Sequence, residues 1–264
     1  MVSIVILTWN SRALLEACLA ALPAATAPLA TEVIVIDNGS VDGTAEMLAA
    51  RRDVVVITNP TNRGVAPARN QGLRAARGEF VALLDVDTEA TPGAFATLVA
   101  RLRSQPEVGL VGPKLVDPDG HLQYSCRRFP TLVDKLCRRL PARIGRALVD
   151  DVELRWWDHA GVRQVDYVIG ACQVIRRTAL DQVGLLDEHI FYGPEDVDLC
   201  LRMHRSGWKV EYVPQAVVMH LERRITRKLL SVLTVRHVYG LGYFFWKHGY
   251  LLTRPTVATV RHAA

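Results

Sequence analysis

Four short apolar runs constrain the first third of this chain more than any other feature. They are VSIVIL (2–7), EVIVID (32–37), VVVIT (54–58) and EFVALLD (79–85). Each has the length of a buried strand, and helix-like stretches separate them at 11–22, 41–50 and 66–76. Asn10 or Ser11 stands at the cap position of the first of these. Such a β-α-β-α rhythm predicts an α/β fold, with a parallel sheet covered by helices on both faces. Beyond the turn Thr91-Pro92-Gly93, a further helix (94–104) and a strand (109–116) continue the pattern. Residues 121–165 carry no clear period. After them come a strand-like stretch (166–177), a short helix (178–183) closed by Gly184, and a helix (194–206) closed by Gly207. Two short strands (209–214 and 216–220) and an amphipathic helical tail (225–250) complete the reading. No repeat or low-complexity segment is visible.

The chain has 264 residues, of which 50% are hydrophobic and 22% charged, enough to build a substantial core and too ordinary for disorder. Cys18, Cys126, Cys137, Cys172 and Cys200 are dispersed without CxxC spacing, which argues for reduced thiols in a cytoplasmic setting. The first residues, MVSIVILTWN, read as a strand and not as a secretion signal. A net charge of +5 conceals an uneven distribution. Residues 126–146 hold seven Lys/Arg against one acid, and residues 221–264 hold eight against one, so the remainder is acidic. A basic face of this kind suits anionic lipid headgroups or a diphosphate. Nucleic acid would use one too, but no helix-turn-helix, RNP or zinc pattern accompanies it.

The chemistry-bearing residues sit at the ends of the apolar runs. Asp85 and Asp87 close the fourth, and residues i and i+2 of an extended chain project to one side. Ligands of open α/β sheets lie beyond the carboxyl ends of the strands, where two carboxylates can hold a hard divalent cation. An isolated DxD is usually a solvated turn, so its position carries the argument. Asp37 closes the second run and can accept from a base N–H or a ribose hydroxyl. His220 closes the run AVVM and can supply a third metal ligand. In Pro194-Glu195-Asp196-Val197-Asp198, three acids open a helix, where the dipole favours them. Asp198 is positioned to pair with Arg202 at i+4, leaving Glu195 and Asp196 at the helix mouth as base candidates.

These residues together resemble family 2 glycosyltransferases of the GT-A fold, in the rhamnosyltransferase-like branch. The resemblance runs through Ser3-Ile4-Val5-Ile6-Leu7-Thr8-Trp9-Asn10, Val35-Ile36-Asp37-Asn38-Gly39-Ser40 and Asn62-Arg63-Gly64-Val65-Ala66-Pro67-Ala68-Arg69-Asn70. It continues with Asp85-Val86-Asp87, Gly170-Ala171, Glu195-Asp196-Val197-Asp198, Gly207-Trp208 and His220, covering about residues 2–220. The resemblance implies an inverting transfer from a nucleoside-diphosphate sugar, with rhamnose from dTDP-rhamnose as first choice and UDP- or GDP-sugars as alternatives. It implies Asp196 as the base and Glu195 as its helper. It implies a donor site from Thr8, Asn10, Asp37, Asn62, Arg63, Gly64, Arg69, Asp85, Val86, Asp87, Gly170 and Ala171. Mg²⁺ or Mn²⁺ is implied as cofactor, on Asp87, Asp85 and His220. Residues 1–220 would form the catalytic domain, with a donor-binding half at about 1–115 and an acceptor half at 116–220. Residues 221–264 would be a basic amphipathic tail.

The tail's clustered aromatics and cations fit a helix at a membrane surface, and its apolar stretches are too short to span one. The expected acceptor is a glycan or a polyprenyl-linked precursor; the charge and aromatic content of the basic segments point to the latter, with the protein cytoplasmic or peripheral at the inner face of the cell membrane. The alternative places for the tail are against the domain or a second copy in a homodimer. Trp156 and Trp157 suit either the core or an acceptor sugar ring. Two other functions compete: a non-catalytic carbohydrate- or nucleotide-binding protein on the same scaffold, and a Rossmann dehydrogenase, which lacks its GxGxxG after the first strand.

Overall fold

A computed structural model describes residues 1–137, 148–221 and 232–257. Its centre is a ten-stranded sheet ordered β3-β2-β1-β4-β11-β6-β12-β5, with β7 on β6 and β9 on β12. The first four strands in this order, β3 (Val55–Thr58), β2 (Thr31–Asp37), β1 (Val2–Thr8) and β4 (Phe80–Asp85), are mutually parallel. β11 (Cys172–Arg176) runs antiparallel between β4 and β6 (Val108–Val116), so β6 regains the common direction. β12 (Lys209–His220) follows β6 in parallel. Thus β1, β2, β3, β4, β6 and β12 all deliver their carboxyl ends to one edge. The remaining pieces are short: β5 (Thr88–Ala90), β7 (Leu122–Gln123), β9 (Arg163–Gln164), and the separate pair β8 (Cys126–Arg127) with β10 (Tyr167–Val168).

Alternation along the strands feeds two apolar layers. In β4, Phe80, Ala82 and Leu84 face one layer, and Val81 and Leu83 face the other. The first layer is closed by α1 (Arg12–Thr26) and α4 (Ala94–Ser104), through Leu15, Leu19, Phe95 and Leu98. The second is closed by α3 (Val65–Ala75), α6 (Arg177–Val183), α7 (Glu195–Arg205) and α8 (Val232–His248). α2 (Thr44–Ala49) and α5 (Leu132–Cys137) are short, and residues 148–152 are helical as well. This is the α/β architecture expected, a sheet of mainly one direction flanked by helices.

Local details differ from the sequence reading. Neither Asn10 nor Ser11 caps α1 through its side chain; Arg12 N–H donates instead to Asp42 Oδ2 at 3.0 Å. The two strands expected at 209–214 and 216–220 are one strand, with a register shift between Val213 and Val217 that accommodates Pro214. All five cysteines are unpaired. Trp157 packs against the core, whereas Trp156 is exposed with the Arg163 guanidinium 4.7 Å from its ring centroid. Residues 138–146 of the first basic segment, and 222–231 and 258–264 of the second, lie outside the described residues.

Candidate functional site

The common carboxyl edge of the sheet collects Thr8, Asp37, Asp85 and His220. Thr8 is in register with Asp37, and Leu7 with Asp85. Asp37 is buried; its Oδ1 accepts the Ser40 N–H at 3.1 Å. Asp37 Oδ2 and Thr8 Oγ1 are buried with no partner among the described residues. Buried polar atoms are rarely left so unless a ligand completes them. Both atoms belong to adjacent strand ends on the side expected for the nucleoside.

Asp85, Asp87 and His220 offer ligand atoms that all lie within 4.8 Å of one another. β5 makes this possible: it pairs antiparallel with β12, setting His220 opposite Thr88. Leu221 N–H then donates to Asp87 O at 2.8 Å, and His220 Nε2 stands 3.7 Å from Asp87 Oδ1. Two carboxylates and an imidazole form a donor set suited to Mg²⁺ or Mn²⁺. Gln123, which no motif singles out, prepares the histidine. Its Oε1 accepts from His220 Nδ1 at 2.8 Å, and its Nε2 donates to His220 O at 2.8 Å. The proton is thereby held on Nδ1, and the Nε2 lone pair is left available to a cation. Val86 packs against an apolar layer, between two residues that point to the site.

Arg69 links this cluster to the acid helix. The guanidinium, 3% exposed, is bonded to Asp85 and stands 3.8 Å from Glu195 Oε1. It also donates to Gly170 O at 3.0 Å. The N–H of the same glycine donates to Asp196 Oδ2 at 2.9 Å, while Asp196 Oδ1 accepts Val197 N–H at 2.8 Å. A Cβ at Gly170 would stand 3.0 Å from Arg69 Nη1 and 3.4 Å from Asp196 Cβ, which explains the glycine. Asp85 N–H donates to Ala171 O at 2.8 Å, so both residues of the Gly170-Ala171 pair serve the site through their backbone. Asp196 is therefore held rather than free at the helix mouth. Glu195 is buried, and its carboxyl is pushed up to about 7, by desolvation first and by the adjacent Asp196 charge second.

The loop after β3 serves by shape. Asn38 Oδ1 accepts from Arg63 N–H and Asn59 Nδ2, both at 3.1 Å, and Asn38 Nδ2 donates to Asn62 Oδ1 at 3.1 Å. Asn62 Oδ1 also receives Gly64 N–H at 2.9 Å. Asn62 thus shapes the loop, and the exposed Arg63 side chain is carried at its rim. Gly64 has φ +92°, and Phe191 occupies the space where a side chain would stand. Asn10, with φ 49°, accepts Val41 N–H at 2.8 Å and ties the β1 and β2 loops together.

Asp198 takes no part in this network. It pairs with Arg202 at 2.8 Å, as expected, and also with Lys247 at 2.6 Å and His248 at 2.8 Å from α8. A cleft of about 780 Å³ opens beside His220 and runs past Gln123 and Tyr124 to Arg127, Glu153 and Arg155. Of the Asp85-Asp87-His220 cluster, only His220 lines it.

A GT-A glycosyltransferase is the class of enzyme that this fold and site define. The family model described as "Glycosyl transferase family 2" matches residues 3–184. An N-acetylglucosaminyl-diphospho-decaprenol L-rhamnosyltransferase of Mycobacterium tuberculosis is 30% identical over 253 residues, covering 89% of this chain and 80% of the relative. A pre-mycofactocin glycosyltransferase of the same species is 32% identical over 202 residues, covering 75% of this chain and 39% of its own length. Among solved structures, the mannosyltransferase PcManGT from Pyrobaculum calidifontis, in complex with GDP-Man and Mn²⁺, superimposes with a TM-score of 0.64 at 21% identity. That match covers 96% of this chain and 65% of the other. The chain belongs to glycosyl transferase family 2.

Proposed function

We propose that the protein moves a sugar, rhamnose from dTDP-rhamnose as first choice, from a nucleoside diphosphate to a hydroxyl of a lipid-linked glycan, with inversion. The observation that carries this reading is the joining of the Asp85-Asp87-His220 cluster to Asp196 through Arg69 and the Gly170 peptide. The donor half would be residues 1–115, the acceptor half 116–220, and residues 221–264 a tail. The name of the mycobacterial relative, an N-acetylglucosaminyl-diphospho-decaprenol L-rhamnosyltransferase, supports an acceptor linked through a diphosphate to a polyprenol.

Asp37 and Thr8 receive the nucleoside with their unpartnered oxygens. The donor's diphosphate lies against Asp85, Asp87 and His220, where a bound Mg²⁺ or Mn²⁺ would neutralise charge as the leaving group departs. The acceptor enters by the cleft beside His220. Asp196, held by two backbone N–H groups, takes the proton of the acceptor hydroxyl as that oxygen attacks the anomeric carbon. The bond between that carbon and the diphosphate oxygen breaks on the opposite side. One displacement inverts the centre, and no protein nucleophile is needed. Glu195 and Arg69 hold the base and the diphosphate side in a fixed relation.

Thermal unfolding with a panel of nucleoside diphosphates, each with and without Mn²⁺, tests the donor site. Metal-dependent stabilisation by one of them is expected, and none by any would overturn the reading. Asp196→Asn should lose transfer by about 10³-fold and keep the nucleotide-dependent shift. Near-normal turnover in that variant would remove Asp196 from the base role. Nucleotide binding without turnover in the wild type would support the non-catalytic alternative.

A further inference from the structure

The run Phe191-Tyr192-Gly193-Pro194 leads into the acid helix and is pinned from three sides. Toward the donor loop, Phe191 O accepts Val65 N–H at 2.7 Å, and the Phe191 ring fills the space beside Gly64. Toward α8, the Arg236 guanidinium lies 3.9 Å from the centroid of that ring, and Gly240 packs on the carbonyl of Gly193. His237 Nδ1 stands 3.3 Å from Tyr192 O, and the His237 and Tyr192 rings meet edge-on with centroids 6.2 Å apart. Toward α7, Asp198 N–H donates to Pro194 O at 3.0 Å. A side chain carried by a backbone so held has a set direction.

Tyr192 is half-buried, and its hydroxyl faces acid. Burial first, and then the charges of Glu195, Asp85, Asp196 and Asp87, push the phenol up to about 12, so at neutral pH it is a neutral O–H donor. Yet it bonds to none of these carboxylates. Among the described residues, the hydrogen bond of Tyr192 is made by its backbone carbonyl alone. Glu195 Oε2 is buried and also without a partner, 3.9 Å from where a Cβ of Gly193 would stand. An open donor and an open acceptor on one stretch of wall suit a hydroxylated ligand.

The four carboxylates fall into two pairs. Asp85 and Asp87 stand at the diphosphate end of the proposed centre, and Glu195 and Asp196 at the end where the base works. In a single in-line displacement the transferred sugar lies between those ends. A hydroxyl that faces both pairs therefore stands beside the sugar.

We propose that Tyr192 is a sugar-contacting residue, whose phenol O–H donates a hydrogen bond to a ring hydroxyl of the sugar being transferred and so helps to select the donor. The proposal rests on the reading of this centre as a sugar-nucleotide site. The contact involves neither the nucleoside nor the metal, so its loss acts on the sugar alone.

The test compares dTDP with dTDP-rhamnose by calorimetry, with Mn²⁺ and without acceptor; UDP with UDP-glucose and GDP with GDP-mannose are run alongside. Tyr192→Phe keeps the ring against His237 and removes only the hydroxyl, and its melting curve confirms folding. The wild type should bind at least one of the sugar nucleotides. For that pair, Tyr192→Phe should bind the bare nucleotide as the wild type does, and the sugar nucleotide about 5- to 10-fold more weakly, the scale of one hydrogen bond. An equal loss for both ligands, the mark of a merely structural role, overturns the proposal. So does a loss for neither, and in both cases the catalytic site is left standing. A wild type that binds none of the six nucleotides overturns the proposal together with the reading beneath it.

Discussion

Arg69 is paired with Asp85 from a position buried under the site, joining the middle of α3 to the end of β4. The same guanidinium reaches Glu195 and the carbonyl of Gly170, so one side chain spans the two halves of the proposed catalytic centre. Arg69→Ala should reduce kcat by about 100-fold, the scale of a small misplacement of reacting groups. It should also weaken the Mn²⁺-dependent thermal shift given by nucleoside diphosphate. Arg69→Lys should recover little of either, because a single ammonium cannot reproduce the planar fork. Steady-state kinetics with matched melting curves decide it; an Arg69→Ala enzyme with unchanged kcat would show that the bridge has no catalytic role.

Much of this arrangement is legible before folding. The strands ending in Asp37 and Asp85 announce themselves by apolar runs with a polar last residue, and the parallel direction of the first four strands follows from the intervening helices. The Asp198–Arg202 pair follows from helical spacing alone. What the chain does not announce comes from contacts distant in sequence. β5 has three residues, too few for a period, yet it sets Asp87 beside His220. Gln123 lies 97 positions from the histidine it orients. The burial of Glu195 and the holding of Asp196 by Gly170 both depend on packing between α7 and the segment before β11. Asn62 shows the reverse case: a donor-site residue by resemblance whose side chain is engaged in shaping its own loop.

Gln123 gives a prediction about metal affinity alone. Its two bonds to His220 fix both the ring's orientation and the nitrogen that carries the proton. Gln123→Leu removes them at similar size. Mn²⁺ binding, measured by calorimetry or electron paramagnetic resonance without substrate, should weaken about 10- to 100-fold, the usual effect of losing a ligand's supporting bond. Unchanged affinity would mean that His220 is not a ligand or needs no orientation.

Glu195 should leave a signature in the pH dependence of stability. Its carboxyl titrates near 7 in the folded chain and near its ordinary value of 4.5 when unfolded. Between these values the folded state binds the extra proton, so this group makes stability fall as pH rises from about 4.5 to 7. Glu195→Gln should flatten that part of the curve and leave the variant relatively more stable at pH 8 than at pH 5. Urea unfolding of both proteins across the interval measures it. Parallel curves would assign the slope to another group.

Asp198 predicts the opposite sign. Burial alone would push its carboxyl up, but His248, Arg202 and Lys247 together hold it below the ordinary value. Stability from this cluster is therefore fully present at neutral pH and is lost as the pH falls through the folded value. The cluster also fastens α8 to the acid helix, since Lys247 bonds both Asp198, at 2.6 Å, and Asp187, at 2.7 Å. Lys247→Ala leaves Arg202 and His248 in place, so the cost should be about 1–3 kcal/mol rather than that of an unpaired buried charge. Because α8 presses on the loop at Tyr192-Gly193, loosening it should reach the base as well as the core. The expected result is a lowered melting temperature together with a reduced kcat for transfer. A lowered melting temperature with full kcat at a temperature where the variant is folded would confine the cluster to a structural role.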